Sequence, residues 1–417
     1  MSKPNYKKTN MDVVPGDWKL KSLGEIGTFK KGRNISKNQL SSQGKPCVLY
    51  GEIYTKYDYI AKELTSYIPV EVAAQSTPIQ FGDVLFASSG ETAEEIGKCF
   101  AYMGEERAYA GGDLIIFSPK ENDSKFLGYQ LNSSLIVRQK ATLGQGISVV
   151  HIYASGLATI KVPLPPLNEQ RRIAEILGEW DNAITLTGRL IAARQRRKKA
   201  LMQQLLTGKR RFGGFMGEWE EFRLEEVTEI LLSNVDKKFD PEETTVRLCN
   251  YMDVHSNFYI TNDLPFKCGS ANEREINKFS LFKGDVIITK DSETPDDIAN
   301  AAVVSEDLES TVCGYHLAIL RPQKERIDGT FLMHHLHHPT INNQFARLAN
   351  GVTRFGLTTD SIKHAKVKLP SIDEQRRIAA VLQTCDGEIA LLEQKLSALK
   401  RQKQGLMQQL LTGKVRV

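Results

Sequence analysis

Apolar or seam positions recur at alternating steps of four and three residues through two long stretches of this chain. In the first they fall at Ile173, Leu177, Trp180, Ile184, Thr187, Ile191, Arg194, Lys198, Leu201 and Leu205. In the second they fall at Ile378, Leu382, Cys385, Ile389, Leu392, Leu396, Leu399, Lys403, Leu406 and Leu410. A mean step of about 3.5 residues is the period of a helix that buries a narrow stripe against another helix, so both stretches are expected to be coiled-coil helices. Asn168 and Asp373 are the expected N-caps, with Glu169 and Glu374 near the positive end of the helix dipole. Gly208 and Gly413 suit the left-handed position that ends a helix. Each helix is then about 40 residues, or roughly 60 Å at about 1.5 Å per residue.

The two helices belong to a repeat. Leu164-Pro165-Pro166-Leu167-Asn168-Glu169-Gln170-Arg171-Arg172-Ile173-Ala174 returns as Leu369-Pro370-Ser371-Ile372-Asp373-Glu374-Gln375-Arg376-Arg377-Ile378-Ala379, and the segment from Leu201 to Lys209 returns letter for letter from Leu406 to Lys414. Ahead of the helices, Gly82-Asp83-Val84-Leu85-Phe86 corresponds to Gly284-Asp285-Val286-Ile287-Ile288, and Trp18 and Trp219 open the two copies. The near-constant shift makes this an internal duplication. The expected organisation is a globular part at 1–165, a helix at 166–208, a second globular part at 209–370 and a second helix at 371–413. The expected partner for one seam is the other, paired antiparallel within the same chain; packing of each helix on its own globular part is the alternative. Arg194, Lys198 and Lys403 interrupt the seam with charge, which could fix the register or face an outside partner.

Within each globular part, short β-type runs such as Val84 to Phe86, Leu114 to Phe117, Val286 to Thr289 and Leu317 to Leu320 precede helical stretches at Lys125 to Lys140 and Thr330 to Leu348. The fold class is therefore α+β: two similar globular domains with two long helices forming an antiparallel coiled coil, related by a pseudo-two-fold internal duplication. With 417 residues, 41% of them hydrophobic, the chain can bury more than one core. Six cysteines without a CxxC pair read as reduced thiols. The Lys-rich start has no apolar signal region and no run approaches the roughly 18 apolar residues of a membrane span, so a soluble, cytoplasmic protein without membrane contact is expected.

A net charge of +5 says little, but its distribution says more. From Arg189 to Arg211 nine basic residues occur with no acid among them, and Lys30, Lys31, Arg33 and Lys37 form a second cluster. Such runs are solvated faces or phosphate-neutralising surfaces. The corresponding loops Ala87-Ser88-Ser89-Gly90-Glu91-Thr92 and Thr289-Lys290-Asp291-Ser292-Glu293-Thr294 share Glu-Thr yet differ at Ser88/Lys290 and Ser89/Asp291. That is the pattern expected of two readers of different short DNA sequences, since these groups can contact base edges, although a structural turn with idle differences gives it too. Gly351-Val352-Thr353-Arg354 against Gly146-Ile147-Ser148-Val149 is a second such loop pair, offering Arg354 to guanine or to phosphate.

Catalytic chemistry is missing. No phosphate-cradling GxxxxGK[ST] occurs. Leu164-Pro165-Pro166-Leu167 lacks the polar first residue and the aromatic last residue of the amino-methyltransferase tetrad. Asp291, Glu293, Asp296 and Asp297 imitate a nuclease carboxylate cluster, but the first copy has Ser89 where the second has Asp291. His334-His335-Leu336-His337-His338 invites a metal reading. Its counterpart in the first copy has no histidine, so a variable helix surface is expected and no metal site.

The twice-occurring Leu-Pro-x-x-x-Glu-Gln-Arg-Arg-Ile-Ala segment and the twice-occurring Leu-Met-Gln-Gln-Leu-Leu-Thr-Gly-Lys resemble the DNA specificity subunit of type I restriction-modification enzymes, from Trp18 through Lys414. The resemblance implies two target recognition domains, each reading a short half-site of double-stranded DNA, with the antiparallel helices as a ruler for the gap. It also implies two docked modification subunits that methylate adenine N6, with motor-nuclease restriction subunits joining them. S-adenosylmethionine, ATP and Mg belong on those partners, and this chain holds no cofactor and catalyses nothing. The DNA-facing residues expected are Lys30, Lys31, Arg33, Lys37, Ser88, Ser89, Glu91, Thr92, Lys290, Asp291, Glu293, Thr294 and Arg354. The apolar seam residues given above are expected to pair the helices and dock the subunits. A coiled-coil scaffold without DNA recognition, or the specificity subunit of a modification-only system, are the alternatives.

Overall fold

The computed structural model describes residues 6–8, 13–146 and 148–417. It divides into two compact units, one made of Met1–Gly188 and Lys395–Val417, the other of Arg189–Gln394. Each unit therefore holds one globular domain, the first part of one long helix and the last part of the other. The long helices span Leu167–Leu205 and Ile372–Leu410, 39 residues each.

The first unit is built on a five-stranded sheet in the order Gly27–Lys31, Leu114–Pro119, Val84–Ala87, Cys99–Tyr102, Ile60–Ala61. The second repeats that order with Thr228–Leu232, Leu317–Pro322, Val286–Thr289, Ala301–Val304 and Tyr259–Ile260. Equivalent registers, Phe86 opposite Ile115 and Ile288 opposite Ala318, carry the duplication into three dimensions. The central strands read as unbroken apolar runs because both faces are covered. Val84 and Phe86 pack with Trp18, Ile173, Leu177 and Leu410 on one side, while Leu85 and Ala87 pack with Val48, Ile53 and Ile79 under a second, four-stranded sheet. In the second unit Val286 and Ile288 pack with Leu205, Ile378 and Leu382, and Ile287 faces Val246 and Leu248 of a three-stranded sheet. Fully burying one such side chain is worth about 1.5–3 kcal/mol, so the long helices are integral to each core.

Within each unit the two helix segments run antiparallel, and the seam lysines are not free. Lys403, 5% exposed, pairs with Asp181 in the first unit; Lys198, 8% exposed, pairs with Asp386 in the second. Each carboxylate also accepts a tyrosine hydroxyl from the adjoining domain, Tyr129 at 2.6 Å and Tyr259 at 3.0 Å. The Lys403 ammonium lies 4.0 Å from the centre of the Tyr59 ring, and the Lys198 ammonium 4.4 Å from that of Phe258. These charges fix register from inside. Arg194 pairs at the surface with Glu388.

The helix starts lie two residues earlier than the expectation. Asn168 and Asp373 lie inside the helices, and the carbonyls of Pro166 and Ser371 accept the first helical bonds, from Gln170 and Gln375. The physical reason is a glutamine clamp. The Gln170 amide donates to the Pro165 carbonyl (3.0 Å) and accepts from the Asp123 backbone N–H (2.9 Å); Gln375 repeats this with Pro370 (2.9 Å) and Asp328 (3.0 Å). The preceding glutamate is held as firmly: Glu374 takes a bidentate bond from Arg211, and Glu169 one from Arg416, which also binds Asp17. Gly208 and Gly413 end the helices at φ +69° and +71°, as expected, with Trp219 against one and Pro15 and Trp18 against the other.

Two further expectations are corrected. The helical stretches 125–140 and 330–348 are each broken in two, into Ser124–Gln130 and Ser134–Leu143, and into Gly329–Leu336 and Pro339–Leu348. Pro339 cannot donate and opens the later helix, capped by His338; in the first copy Asn132 is drawn aside by bonds to both backbone groups of Cys99. The histidine tetrad is also not a helix surface. His334, His335 and His338 are buried, and burial pushes the first two down to about 3.

Candidate nucleic-acid interface

In the first unit two loops that lie far apart in sequence are joined by a short antiparallel pair, with Ser89 opposite His151 and Gly90 opposite Val150. The Ser89 hydroxyl meets His151 Nδ1 at 3.0 Å, and the Tyr54 hydroxyl donates to the Ser89 carbonyl at 3.0 Å. Ser88 and Ser89 are consequently buried, and of the four residues expected to face DNA here Glu91 and Thr92 are the exposed ones. A cavity of about 690 Å³ opens beside them, lined by Tyr50, Tyr54, Glu91, Glu95, Lys98 and Lys140. Lys140 is fully buried and donates to the Gly97 carbonyl, and burial lowers its proton affinity.

Lys30, Lys31, Arg33 and Lys37 are all exposed. Lys31 stands opposite Ile115, Arg33 N–H donates to the Ala110 carbonyl, and Ser88 N–H donates to Asp113, just ahead of the same Leu114–Pro119 strand. Strand pairing thus sets Lys31, Arg33 and the 88–92 loop at one end of the sheet. The second unit has Leu231 and Leu232 at the places of Lys30 and Lys31, opposite Ile319 and Ala318, so this cation pair is not duplicated.

In the second unit the corresponding loops join through Asp291 opposite Gly356 and Ser292 opposite Phe355. Asp291 Oδ2 accepts from His316 Nδ1 at 2.7 Å, and the Arg354 guanidinium lies against the same imidazole. Glu293, Thr294 and Arg354 are exposed, whereas Lys290 turns inward and donates to the Ser233 carbonyl at 3.4 Å. His151 and His316 went unnoticed in the sequence. They occupy unrelated positions in the two copies, yet each presents Nδ1 to the variable 89/291 side chain. Ile147, part of the second loop of the first copy, lies outside the described residues.

Along the helices, Ile173, Leu177, Ile191, Leu205, Ile378, Leu382 and Leu410 are buried in the seam; Trp180, Ile184, Leu201, Ile389, Leu392, Leu396, Leu399 and Leu406 are half-buried. Of the basic run, Lys198, Arg194 and Arg211 are engaged in ion pairs, leaving Arg189, Arg196, Arg197, Lys199, Lys209 and Arg210 exposed. Among the described residues no helix is long and apolar enough to cross a membrane.

The model of the type I restriction modification DNA specificity domain matches residues 15–193 and 216–401. The chain is 24% identical to the MjaVIII type I restriction enzyme specificity subunit of Methanocaldococcus jannaschii, over 99% of this chain and 96% of that one. It is 22% identical to the EcoKI specificity subunit of Escherichia coli over 66% and 62%. Among solved structures it is similar in fold to the S subunit of a type I restriction-modification system from M. genitalium, with TM-score 0.60, 16% identity and 98% of each chain covered. A chain from a structural study of complex assembly and conformational transition in the type I system gives TM-score 0.55 at 20% identity, over 96% and 99%.

Proposed function

The chain belongs to the type I restriction modification DNA specificity family, and from that premise we propose that it reads a bipartite double-stranded DNA target, one half-site per recognition domain. The observation that carries this reading is the doubled loop pair. Two equivalent sheets present two equivalent stapled loops, but their polar groups differ, Ser89 with His151 in one and Asp291 with His316 and Arg354 in the other. A shared frame with different hydrogen-bonding groups is what reading two different base sequences requires. The exposed Lys31 and Arg33 at the first loop pair supply phosphate contacts that position the domain.

The subunit docks two modification subunits, which methylate adenine N6, and restriction subunits, and it acts in the cytoplasm. S-adenosylmethionine, ATP and Mg bind to those partners, and no chemical step falls to this chain. Half-buried apolar seam positions such as Ile184 and Ile389, with the exposed Leu186 and Leu391 beside them, support a docking role for the helices. The helices also set the undefined gap between the two halves.

Co-expression with the modification subunits, followed by mapping of methylated adenines across a host genome, tests the reading. A split motif, two short defined halves around a fixed undefined gap, is the expected result. No new methylation from a verified soluble complex, together with binding that is independent of DNA sequence and salt, would leave a protein-binding scaffold instead.

A further inference from the structure

Arg354 is exposed but not unconstrained. Its Nη2 lies 3.4 Å from Nδ1 and 3.5 Å from Nε2 of His316, and near-equal distances to both ring nitrogens place the guanidinium against the imidazole ring instead of in line with one nitrogen lone pair. The imidazole is itself held: a carboxylate can only accept, so Nδ1 donates to Asp291, and the Tyr315 ring lies 3.6 Å away, centre to centre. Two glycines make the assembly possible. A Cβ at Gly356 would sit 3.3 Å from Asp291 Oδ1, and Gly351, at φ +146°, makes the turn that carries Arg354, where a Cβ would meet the Arg354 carbonyl at 1.9 Å. The first domain has Val149 at the place of Arg354, and among the described residues its loop pair is joined by the serine–imidazole contact.

We propose that Arg354 reads a guanine in the half-site of the second domain, with Asp291 and His316 as positioning residues. The proposal rests on the reading that the domain binds a DNA half-site. A guanidinium forks onto guanine O6 and N7 in the major groove, and no other base offers two acceptors there. Stacking on His316 restricts the side chain before DNA arrives, which reduces the ordering cost of that bidentate contact. The neighbourhood selects a base over a phosphate. Asp291 and Glu293 stand on the loop next to Arg354, and two carboxylates repel a phosphate, with its full negative charge, more strongly than the uncharged edge of a base.

The test uses the complete complex with its modification subunits, carrying the native chain, Arg354→Gln, Arg354→Lys or His316→Gln. Two readouts are the genome-wide methylation motif and binding to duplexes of that motif with single guanines replaced by 7-deazaguanine, which lacks the N7 acceptor. The native motif should contain a G·C pair in one half that becomes degenerate, or changes to A·T, in Arg354→Gln, while the other half and the gap stay unchanged. One 7-deazaguanine should weaken native binding about tenfold or more and leave Arg354→Gln unaffected. Arg354→Lys should not restore the fork, and His316→Gln should shrink the 7-deazaguanine effect without altering complex assembly. An unchanged motif in Arg354→Gln overturns the proposal alone. So does a uniform loss of affinity across all sequences with a shallower salt dependence, which marks a phosphate contact. Absence of any split motif with the native chain overturns the DNA-reading function and this proposal together.

Discussion

At the scale of single residues, burial changes what a side chain can do. The run His334 to His338 looked like a helix surface because the first copy has no histidine there, yet Gln130, at the place of His335, is just as buried. The helix is an inner one in both copies, and the duplication tolerates any side chain of suitable volume. His334 and His335 are held neutral, with values pushed from 6.5 down to about 3 chiefly by desolvation. The folded state binds their protons less readily than the unfolded state. Their contribution is therefore complete above about pH 6.5 and is lost as pH falls toward 3, at up to about 1.4 kcal/mol per pH unit for each histidine. His335→Gln should accordingly narrow the drop in thermal midpoint between pH 7.5 and 5.5. An equal drop in the variant and the parent would show that His335 does not carry the effect.

At the scale of elements, the long helices are registered by buried polar nodes as well as by an apolar stripe. Lys198, Asp386, Tyr259 and His334 meet in one unit; Lys403, Asp181 and Tyr129 meet in the other. A desolvated charge without its partner is costlier than the pair replaced by apolar groups. Lys198→Met should destabilise the protein by about 3 kcal/mol, and Lys198→Met with Asp386→Leu by less than the sum of the two single changes. Denaturant midpoints for the four proteins measure this, and additive costs would remove the coupling. The glutamine clamps act at the other end of the same helices. Their residues were visible as a doubled Glu-Gln-Arg-Arg motif, but their partners at Asp123 and Asp328 lie 47 residues upstream, where no periodicity points to them.

At the scale of the whole molecule, each node is internal to one unit, since Asp181 and Lys403 belong to the first and Lys198 and Asp386 to the second. A four-residue insertion after Gly188, matched by one after Gln394, leaves both registers intact while lengthening both helices by about 6 Å. The methylation motif should then show a longer gap and two unchanged halves; an unaltered gap would remove the ruler role. Replacing residues 88 to 92 should alter one half-site and spare the other. Changes in both halves would contradict one reader per domain.

What the sequence determined by itself is what covalent spacing encodes: the duplication, the two helices with their seams, the glycine stops and the buried strands around Val84 and Val286. Local periodicity suffices for these, because a step of 3.5 or an unbroken apolar run limits which backbone can bury it. Tertiary structure alone decided that Lys198 and Lys403 face inward to aspartates outside the seam pattern, and that Ser88 and Ser89 are covered. It also decided that two distant loops staple together, with an imidazole drawn from His151 in one domain and from His316 in the other. Those relations depend on pair distances between remote residues, and packing sets such distances without leaving a mark on the spacing of either residue in the chain.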